Sequence, residues 1–348
     1  MKNLLELTRA VKILGLNHLL KVRKIKKITG DIVGGFFLTR VMSTLLNANF
    51  FNEFSKNMVV DIHLFSKDNS LDEKTLGLLC DYLSSLKILK EKKPGYCLTA
   101  KGKFISEMGS GLFDIVYSFE GILHNLEPIL KNEKTISRDS ARLYFEAKGT
   151  GDAAKLLVFP IIIDTIKKNN FKRIFDIGCG SAAFLIELCK NIPEASGYGI
   201  DLSAEAILHG QKQIIKNYLG DKIELFAGNI LTHLELFAEK INNADIVTAS
   251  FVLHELFLKG KEQIIDFLAK FRNKFKNKYL LVCENIEQTP NELRKNPGLY
   301  SELQLVHRLI DEQQMSRKDW REVFQKSGFE EIIEQHLAFA KISIYILH

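Results

Sequence analysis

The sequence predicts an α/β chain in which a mainly helical region comes first and a mostly parallel sheet, wound with helices on both faces, comes second. Three observations carry this. Phe171 to Ser203 reads as strand, glycine turn, helix, strand, the unit from which such sheets are built. Three further apolar runs, Ile223 to Ala227, Ala244 to Ser250 and Tyr279 to Glu284, alternate with helical stretches at the spacing of further strands. At 348 residues the chain exceeds what one ordinary core organises, so two domains are expected, 1–150 and 151–348.

Composition narrows the class. An apolar fraction of 46% with 26% charged residues belongs to a soluble globular chain. No run of about eighteen apolar residues is present to span a membrane. Five cysteines, Cys80, Cys97, Cys179, Cys189 and Cys283, are odd in number and form no Cys-x-x-Cys pair. That argues for a reducing compartment, here the cytoplasm, and against a structural zinc site. A net charge of +6 raises the question of nucleic acid, but residues 1–30 alone hold eight Lys/Arg against the single acid Glu6. The rest of the chain is close to neutral and offers no basic groove, so no nucleic-acid partner is expected.

Taken in order, Leu4 to Ile28 repeats Leu, Val and Ile at helical spacing with basic residues between, an amphipathic basic helix softened at Gly15. Its low acid content leaves an organelle-targeting or membrane-surface reading open, but no small-residue cleavage site or secretory apolar block accompanies it; packing on its own domain or on a sister subunit is favoured. Phe36 to Phe54 reads as a buried helix with Phe36, Phe37, Leu38, Val41, Leu45, Leu46, Phe50 and Phe51 on its apolar face. Val59 to Phe65 is a second helix, and Ser70-x-x-Glu73 reads as a capping box opening a third, Asp72 to Lys87. Ile88 to Glu91 and Tyr96 to Thr99 flank Lys93-Pro94-Gly95 as a hairpin. Three helices and a hairpin make a winged helix. A DNA-reading third helix would present Arg, Asn, Gln or Lys to base edges; this one carries Asp72, Glu73 and Asp81 against Lys74 and Lys87 and has no arginine. A dimerisation and substrate-capping role is the better reading.

Residues 103–150 continue as helix, with Ile115, Val116, Phe119, Ile122, Leu123, Leu126, Ile129 and Leu130 as an apolar stripe. Arg138 and Arg142 lie on the approach to the sheet, where a guanidinium can take a substrate carboxylate. Val158 to Lys168 is the helix that leads into the first strand, and a hairpin of about Glu330 to Gln335 and Ala340 to Leu347 closes the sheet.

The glycine turn carries the chemistry. Gly178-Cys-Gly180-Ser-Ala182-Ala183 lacks the third glycine of a dinucleotide site, and Asp176, just before the turn, would repel a pyrophosphate. An acid there suits a cationic ligand. Asp201 closes the second strand, where a carboxylate can take two ribose hydroxyls.

Asp176-x-Gly178-x-Gly180 followed by Asp201 resembles motif I and its partner acid in the class I S-adenosylmethionine-dependent methyltransferases, whose ligand carries a sulfonium and an ammonium and no phosphate. The resemblance implies a Rossmann-like domain with a seven-stranded sheet and S-adenosylmethionine as cofactor. It also implies Asp176, Gly178, Gly180, Asp201, Leu202, Asn229, Ile230 and Ser250 as the residues that hold it. Asn229 stands where the family often has an acid for the adenine amine. With a winged helix in front, the whole chain resembles the two-domain small-molecule O-methyltransferases of plants and bacteria. Ser250-Phe-Val-Leu-His254-Glu255-Leu256 is similar to the family's Leu-His-Asp-Trp segment, whose histidine is the general base. His254 matches it, while Glu255 replaces the aspartate and Leu256 the tryptophan. Glu284 matches the acid that orients that histidine. A second orienting acid is expected where Gln313 or Gln314 stands.

The resemblance thus implies a methyltransferase for a small-molecule acceptor, a homodimer, with His254 and Glu284 doing the proton chemistry by O-methylation. His307, on the Tyr300 to Leu309 helix, opens an alternative. Two histidines facing one pocket can bind a divalent or ferric ion, and the family's 2-oxo-acid C-methyltransferase subgroup has histidines at comparable places. Glu255 or water would complete that shell, with Arg138 or Arg142 on the substrate carboxylate. A rival from another class is a catalytically inactive ligand-binding regulator acting through the winged helix; the retained His254 speaks against it.

Overall fold

The computed structural model describes residues 2–136, 141–256, 260–295, 298–312 and 314–348. Arg138 and Gln313 lie outside them. The chain divides into two units, Met1–Phe113 and Asp114–His348, against the expected boundary near 150. Asp114–Ala154 goes with the second unit for physical reasons. Lys148 pairs with the buried Asp114, and Ile115, Phe119 and Ile122 pack on Val306 and Ile310.

The first unit opens with α1 (Lys2–Leu14) and α2 (Leu16–Asn47), broken at Gly15, whose φ of 77° is open to glycine and strained for other residues. A 3₁₀ turn over Phe50–Ser55 follows, then α3 (Ile62–Asp68) and α4 (Glu73–Ser85). The expected capping box at Ser70 is not formed. Asp72 caps α4 instead, its carboxylate accepting the Thr75 N–H at 2.7 Å, because Ser70 lies outside the helix in a left-handed turn (φ 53°). β1 (Leu89–Lys92) and β2 (Gly95–Leu98) pair antiparallel, and α5 (Ala100–Met108) follows. Met42, Leu45, Phe50, Phe65, Leu83 and Ile88 form the core of this unit. Phe36 and Phe37, expected on a buried face, are 67% and 56% exposed, since no second layer of this unit covers that part of α2.

Then come α6 (Ser110–Ser118), α7 (Glu120–His124), α8 (Leu126–Leu130) and α9 (Leu143–Ala154), short helices in place of one long one. Of the expected stripe, Ile115, Phe119 and Ile122 are buried while Leu123, Leu126 and Leu130 stand exposed. α10 (Val158–Lys168) leads into β3 (Arg173–Ile177), and α11 (Ala183–Asn191), β4 (Ser196–Asp201), α12 (Ala204–Lys216) and β5 (Ile223–Ala227) build one half of the sheet. The other half follows α13 (Ile230–His233) and α14 (Ala238–Asn243). It comprises β6 (Ile246–Ser250), α15 (Leu253–Leu256), α16 (Lys261–Lys274) and β7 (Tyr279–Asn285). α17 (Pro290–Lys295), α18 (Leu299–Leu309), α19 (Arg317–Lys326), β8 (Ile332–Leu337) and β9 (Ile342–Leu347) complete it. The seven strands run in the order β5-β4-β3-β6-β7-β9-β8, all parallel except β9.

Successive strand residues point to opposite faces. Ile246 and Leu281 therefore join the core layer of Ile162, Leu185 and Leu188, while Val247, Leu280 and Val282 join that of Phe267, Phe271, Trp320 and Phe324. The order in which strands are added reverses between the parallel neighbours β3 and β6, and in such sheets the ligand crevice opens at the carboxyl ends of these two strands. Among the described residues no helix is long and apolar enough to cross a membrane.

Candidate active site

At the end of β3 the backbone turns through Gly178 (φ 69°) and Gly180 (φ 52°), a conformation that disfavours side chains. Space forbids one at Gly178 as well: a Cβ there would stand 2.4 Å from Cγ2 of Val252. The N–H groups of Gly178 and Cys179 donate to the Ile200 carbonyl at 2.8 and 3.1 Å. Asp201 then ties the turn to β4. Its Oδ2 accepts the Gly180 N–H and its Oδ1 the Ser203 N–H, both at 2.8 Å. Asp201 also lines the pocket over the turn.

The pocket over this turn is lined by Asp176, Gly178, Gly180, Asp201, Leu202, Ile230 and Ser250, together with Glu146 and Thr150 from α9, Phe251 and Glu255. The charged side chains of the lining are all carboxylates, which fits a cationic ligand and opposes a phosphate. Asn229 is turned to local structure: its Oδ1 caps α13 by accepting the Leu231 N–H at 2.9 Å, while its neighbours Gly228 and Ile230 reach the pocket. Asp176 is buried and accepts the Thr248 hydroxyl at 2.6 Å. Burial pushes its carboxyl up to about 7, with the Asp201 charge adding to the effect and the Thr248 bond opposing it. Burial likewise pushes the Cys179 thiol up, leaving it an inert filler of the turn.

Beyond β6, Phe251 adopts a left-handed conformation (φ 56°) and the chain enters α15, which carries His254. Glu284, wholly buried at the end of the neighbouring strand β7, holds this turn twice. Its Oε1 accepts the Leu253 N–H at 2.9 Å and its Oε2 accepts from His254 Nδ1 at 2.6 Å. The proton of His254 is thereby kept on Nδ1. His307 on α18 donates from its own Nδ1 to the Leu303 carbonyl at 2.6 Å, and its ring centroid lies 5.3 Å from that of His254 and 5.8 Å from that of Phe119. Gln304, one turn earlier on the same helix, bonds the main chain of Gln288 twice, accepting its N–H and donating to its carbonyl, each at 3.0 Å.

The sequence brought His254, Glu284 and His307 forward, and the structure gathers them. It also adds one residue the sequence reading missed. Glu312 is buried, with its Oε2 3.5 Å from His307 Nε2, and one ligand atom from each of His254, His307 and Glu312 can be chosen within 4.8 Å of one another. The signal lay close by: an acid was expected at 313 or 314, and Glu312 is one residue upstream. Glu255 lies 4.0 Å from His254 Nε2 and belongs to the lining of the cofactor pocket. Arg142 is engaged elsewhere, with Glu120 at 3.2 Å and its guanidinium 4.1 Å from the centroid of the Tyr117 ring.

With this geometry in hand, comparison with known proteins gives the following. Residues 175–278 match a family described as a methyltransferase domain. Indolepyruvate C-methyltransferase of Streptomyces griseus is 26% identical over 160 residues, covering 45% of this chain and 46% of that protein. O-methyltransferase 12 of Dictyostelium discoideum is 24% identical over 179 residues, covering 51% and 44%. The chain thus spans less than half the length of both relatives. Among solved structures, human N-acetylserotonin methyltransferase in complex with S-adenosylmethionine superposes with a TM-score of 0.65 at 14% identity, over 92% of this chain and 96% of that one. The chain carries the fold and the domain of the class I S-adenosylmethionine-dependent methyltransferases, and S-adenosylmethionine is the cofactor of that domain.

Proposed function

We propose that this chain transfers the methyl group of S-adenosylmethionine to the carbon beside the carbonyl of a small 2-oxo acid, with a metal ion held by His254 and His307. One observation carries the reading. Both imidazoles are buried, both have Nδ1 within hydrogen-bond distance of a fixed acceptor, and one ligand atom of each can be chosen within 4.8 Å of one of the buried Glu312. A histidine whose second nitrogen is fixed in this way is the usual form of a metal ligand. The sequence alone ranked O-methylation first; Glu312, one residue before the place where that reading expects its second orienting acid, is shared by both readings. The C-methyltransferase from Streptomyces griseus among the relatives is consistent with carbon methylation.

When bound, the cation supplies Lewis acidity that weakens the C–H bonds next to the ketone. The residues of this chain do the rest. Glu284 fixes the tautomer of His254. Glu255, between His254 and the cofactor pocket, accepts the proton from carbon. Asp201 holds the ribose so that the sulfonium methyl faces that carbon. As the new C–C bond forms, the methyl–sulfur bond breaks and its electron pair stays on sulfur, giving S-adenosylhomocysteine.

A second reading rests on the His254–Glu284 pair itself. A buried imidazole backed by a carboxylate at 2.6 Å is also a general base for a hydroxyl acceptor, and O-methylation with His254 as base follows from it. The two are separated by elemental analysis of the purified chain and of His307→Ala, together with mass spectrometry and NMR of products from methyl-labelled cofactor. The acceptors are an aryl 2-oxo acid and a phenol. Metal lost in the variant together with a carbon-methylated product supports the first reading; a methyl ether formed without metal replaces it with the second.

For the first unit, the helix–helix–hairpin order of α3, α4, β1 and β2 supports a winged-helix reading. Exposed Ile13, Leu16, Ile25, Phe36 and Phe37 support a second copy of the chain as the partner of α1 and α2. The five cysteines are all free thiols, in keeping with a cytoplasmic protein.

A further inference from the structure

From Leu7 to Gly30 the chain holds seven Lys/Arg and no acid, interleaved with Val, Leu and Ile. The first unit leaves this stretch uncovered. All seven cationic side chains are exposed, and so are Leu20 at 53% and Ile25 at 60%. Where α1 meets the start of α2 at the Gly15 bend, Val11, Leu19 and Leu20 line a groove together with Arg23, Lys26 and Lys27. We infer that this groove docks on an anionic membrane surface, its apolar side chains meeting the acyl boundary and its cations the phosphate headgroups.

Aliphatic side chains flanked by Lys and Arg are what a helix lying in a lipid interface requires. The apolar groups leave water, while the long basic stems lie along the same surface and carry their charges out to the headgroups, where each is attracted by an anionic leaflet. The contact is peripheral, since among the described residues no helix is long and apolar enough to cross a membrane.

Two other occupants suit the groove less well. A symmetric pair of chains sets the same patch against itself, so a second copy seated here would bring these cations against their own kind. The second copy proposed above is better matched by the other side of α2. There Ile25, Ile28, Ile32 and Phe36 recur at three- and four-residue spacing, about half a turn round from Leu20, Arg23 and Lys27, and all four are exposed. A nucleic acid would use the cations, but the residues lining the groove include no aromatic ring on which a base could stack.

The test is flotation of the whole chain with vesicles of phosphatidylcholine alone and of phosphatidylcholine with phosphatidylserine, at low and at high salt. It is run on the wild type, on Leu20→Ser and on the triple variant Arg23→Gln, Lys26→Gln, Lys27→Gln, with thermal unfolding as a check on folding. The wild type is expected to bind the phosphatidylserine vesicles at least about 50-fold more tightly than the neutral ones and to lose that preference at high salt. The triple variant should weaken this binding by about 100-fold and Leu20→Ser by about tenfold. A wild type without preference for the anionic vesicles overturns the inference. Full binding by Leu20→Ser overturns it as well, because the groove would then be a plain cationic patch. Displacement of the vesicles by an equal charge of duplex DNA or RNA overturns it in favour of a nucleic acid. Self-association lost in Leu20→Ser by sedimentation velocity, with no vesicle binding by the wild type, overturns it in favour of a second copy. The wild-type comparison of two vesicle types at two salt levels needs no variant, so it decides the matter even where a variant does not fold.

Discussion

His254 Nδ1 and Glu284 Oε2 meet at 2.6 Å across thirty residues of sequence, inside a pocket where neither side chain reaches solvent to any extent. Replacing Glu284 with Gln keeps the shape and loses the charge that selects the tautomer. Turnover is expected to fall on the order of 100-fold or more, while S-adenosylhomocysteine affinity stays within about twofold. Steady-state kinetics beside calorimetry check it; unaltered turnover would remove Glu284 from the site.

Asp201 bonds the Gly180 and Ser203 N–H groups on the lining of the pocket, and in the proposed reading it holds the ribose of the cofactor. Asp201→Ala should therefore weaken cofactor binding by roughly 2–4 kcal/mol. Calorimetry with S-adenosylhomocysteine measures this directly, and an affinity equal to the wild type would show that the ribose is held elsewhere.

Asp176 gives the unliganded protein a pH dependence of defined sign. Because burial raises its carboxyl from the ordinary range near 3.8 to about 7, the native chain holds a proton that the unfolded chain releases between these values. The stability this contributes is present in full below the unfolded pKa and is lost as pH rises through about 7. A cationic cofactor favours the carboxylate, so its affinity should rise from pH 6 to 8 with release of a fraction of a proton. Calorimetry in buffers of different ionisation enthalpy reads that proton. A pH-independent affinity in the wild type, or the same dependence in Asp176→Asn, would contradict the assignment.

Lys148 is ion-paired with Asp114, which is 1% exposed, and also approaches Asp152 at 3.4 Å. Burial raises the Asp114 carboxyl while Lys148 pulls it down. Lys148→Met leaves that carboxylate buried without its cation and should cost about 3–5 kcal/mol, with Asp114→Asn in the double variant restoring part of it. Urea denaturation decides; a loss below about 1 kcal/mol would mean that Asp114 is already neutral.

How much of this could be read beforehand depends on what kind of information each part needs. The central strands were legible because strands covered on both faces are continuous apolar runs, as in Ile246–Ser250 and Tyr279–Asn285, and the helix Val158–Lys168 falls where the sequence put it. His254 and Glu284 were legible through the segments around them. Glu312 was not, because its position beside His307 depends on the left-handed turn at Asp311 that ends α18, and such a turn carries no periodic signal. Phe36 and Phe37 misled in the opposite way: periodicity reports an apolar face and cannot say whether the layer that covers it belongs to the same unit. Ser70 shows a third limit, since a capping box and an aspartate cap two residues later are equally good patterns.

The two hydrogen bonds between the Gln304 side chain and the main chain of Gln288 do what a β-bridge does, and they tie α18 to the segment that leaves the carboxyl end of β7. His307, one turn further along α18, is held by that tie. Phe119 and Ile122 pack against this same helix end, so a side chain exchanged there to suit another acceptor is felt at His307.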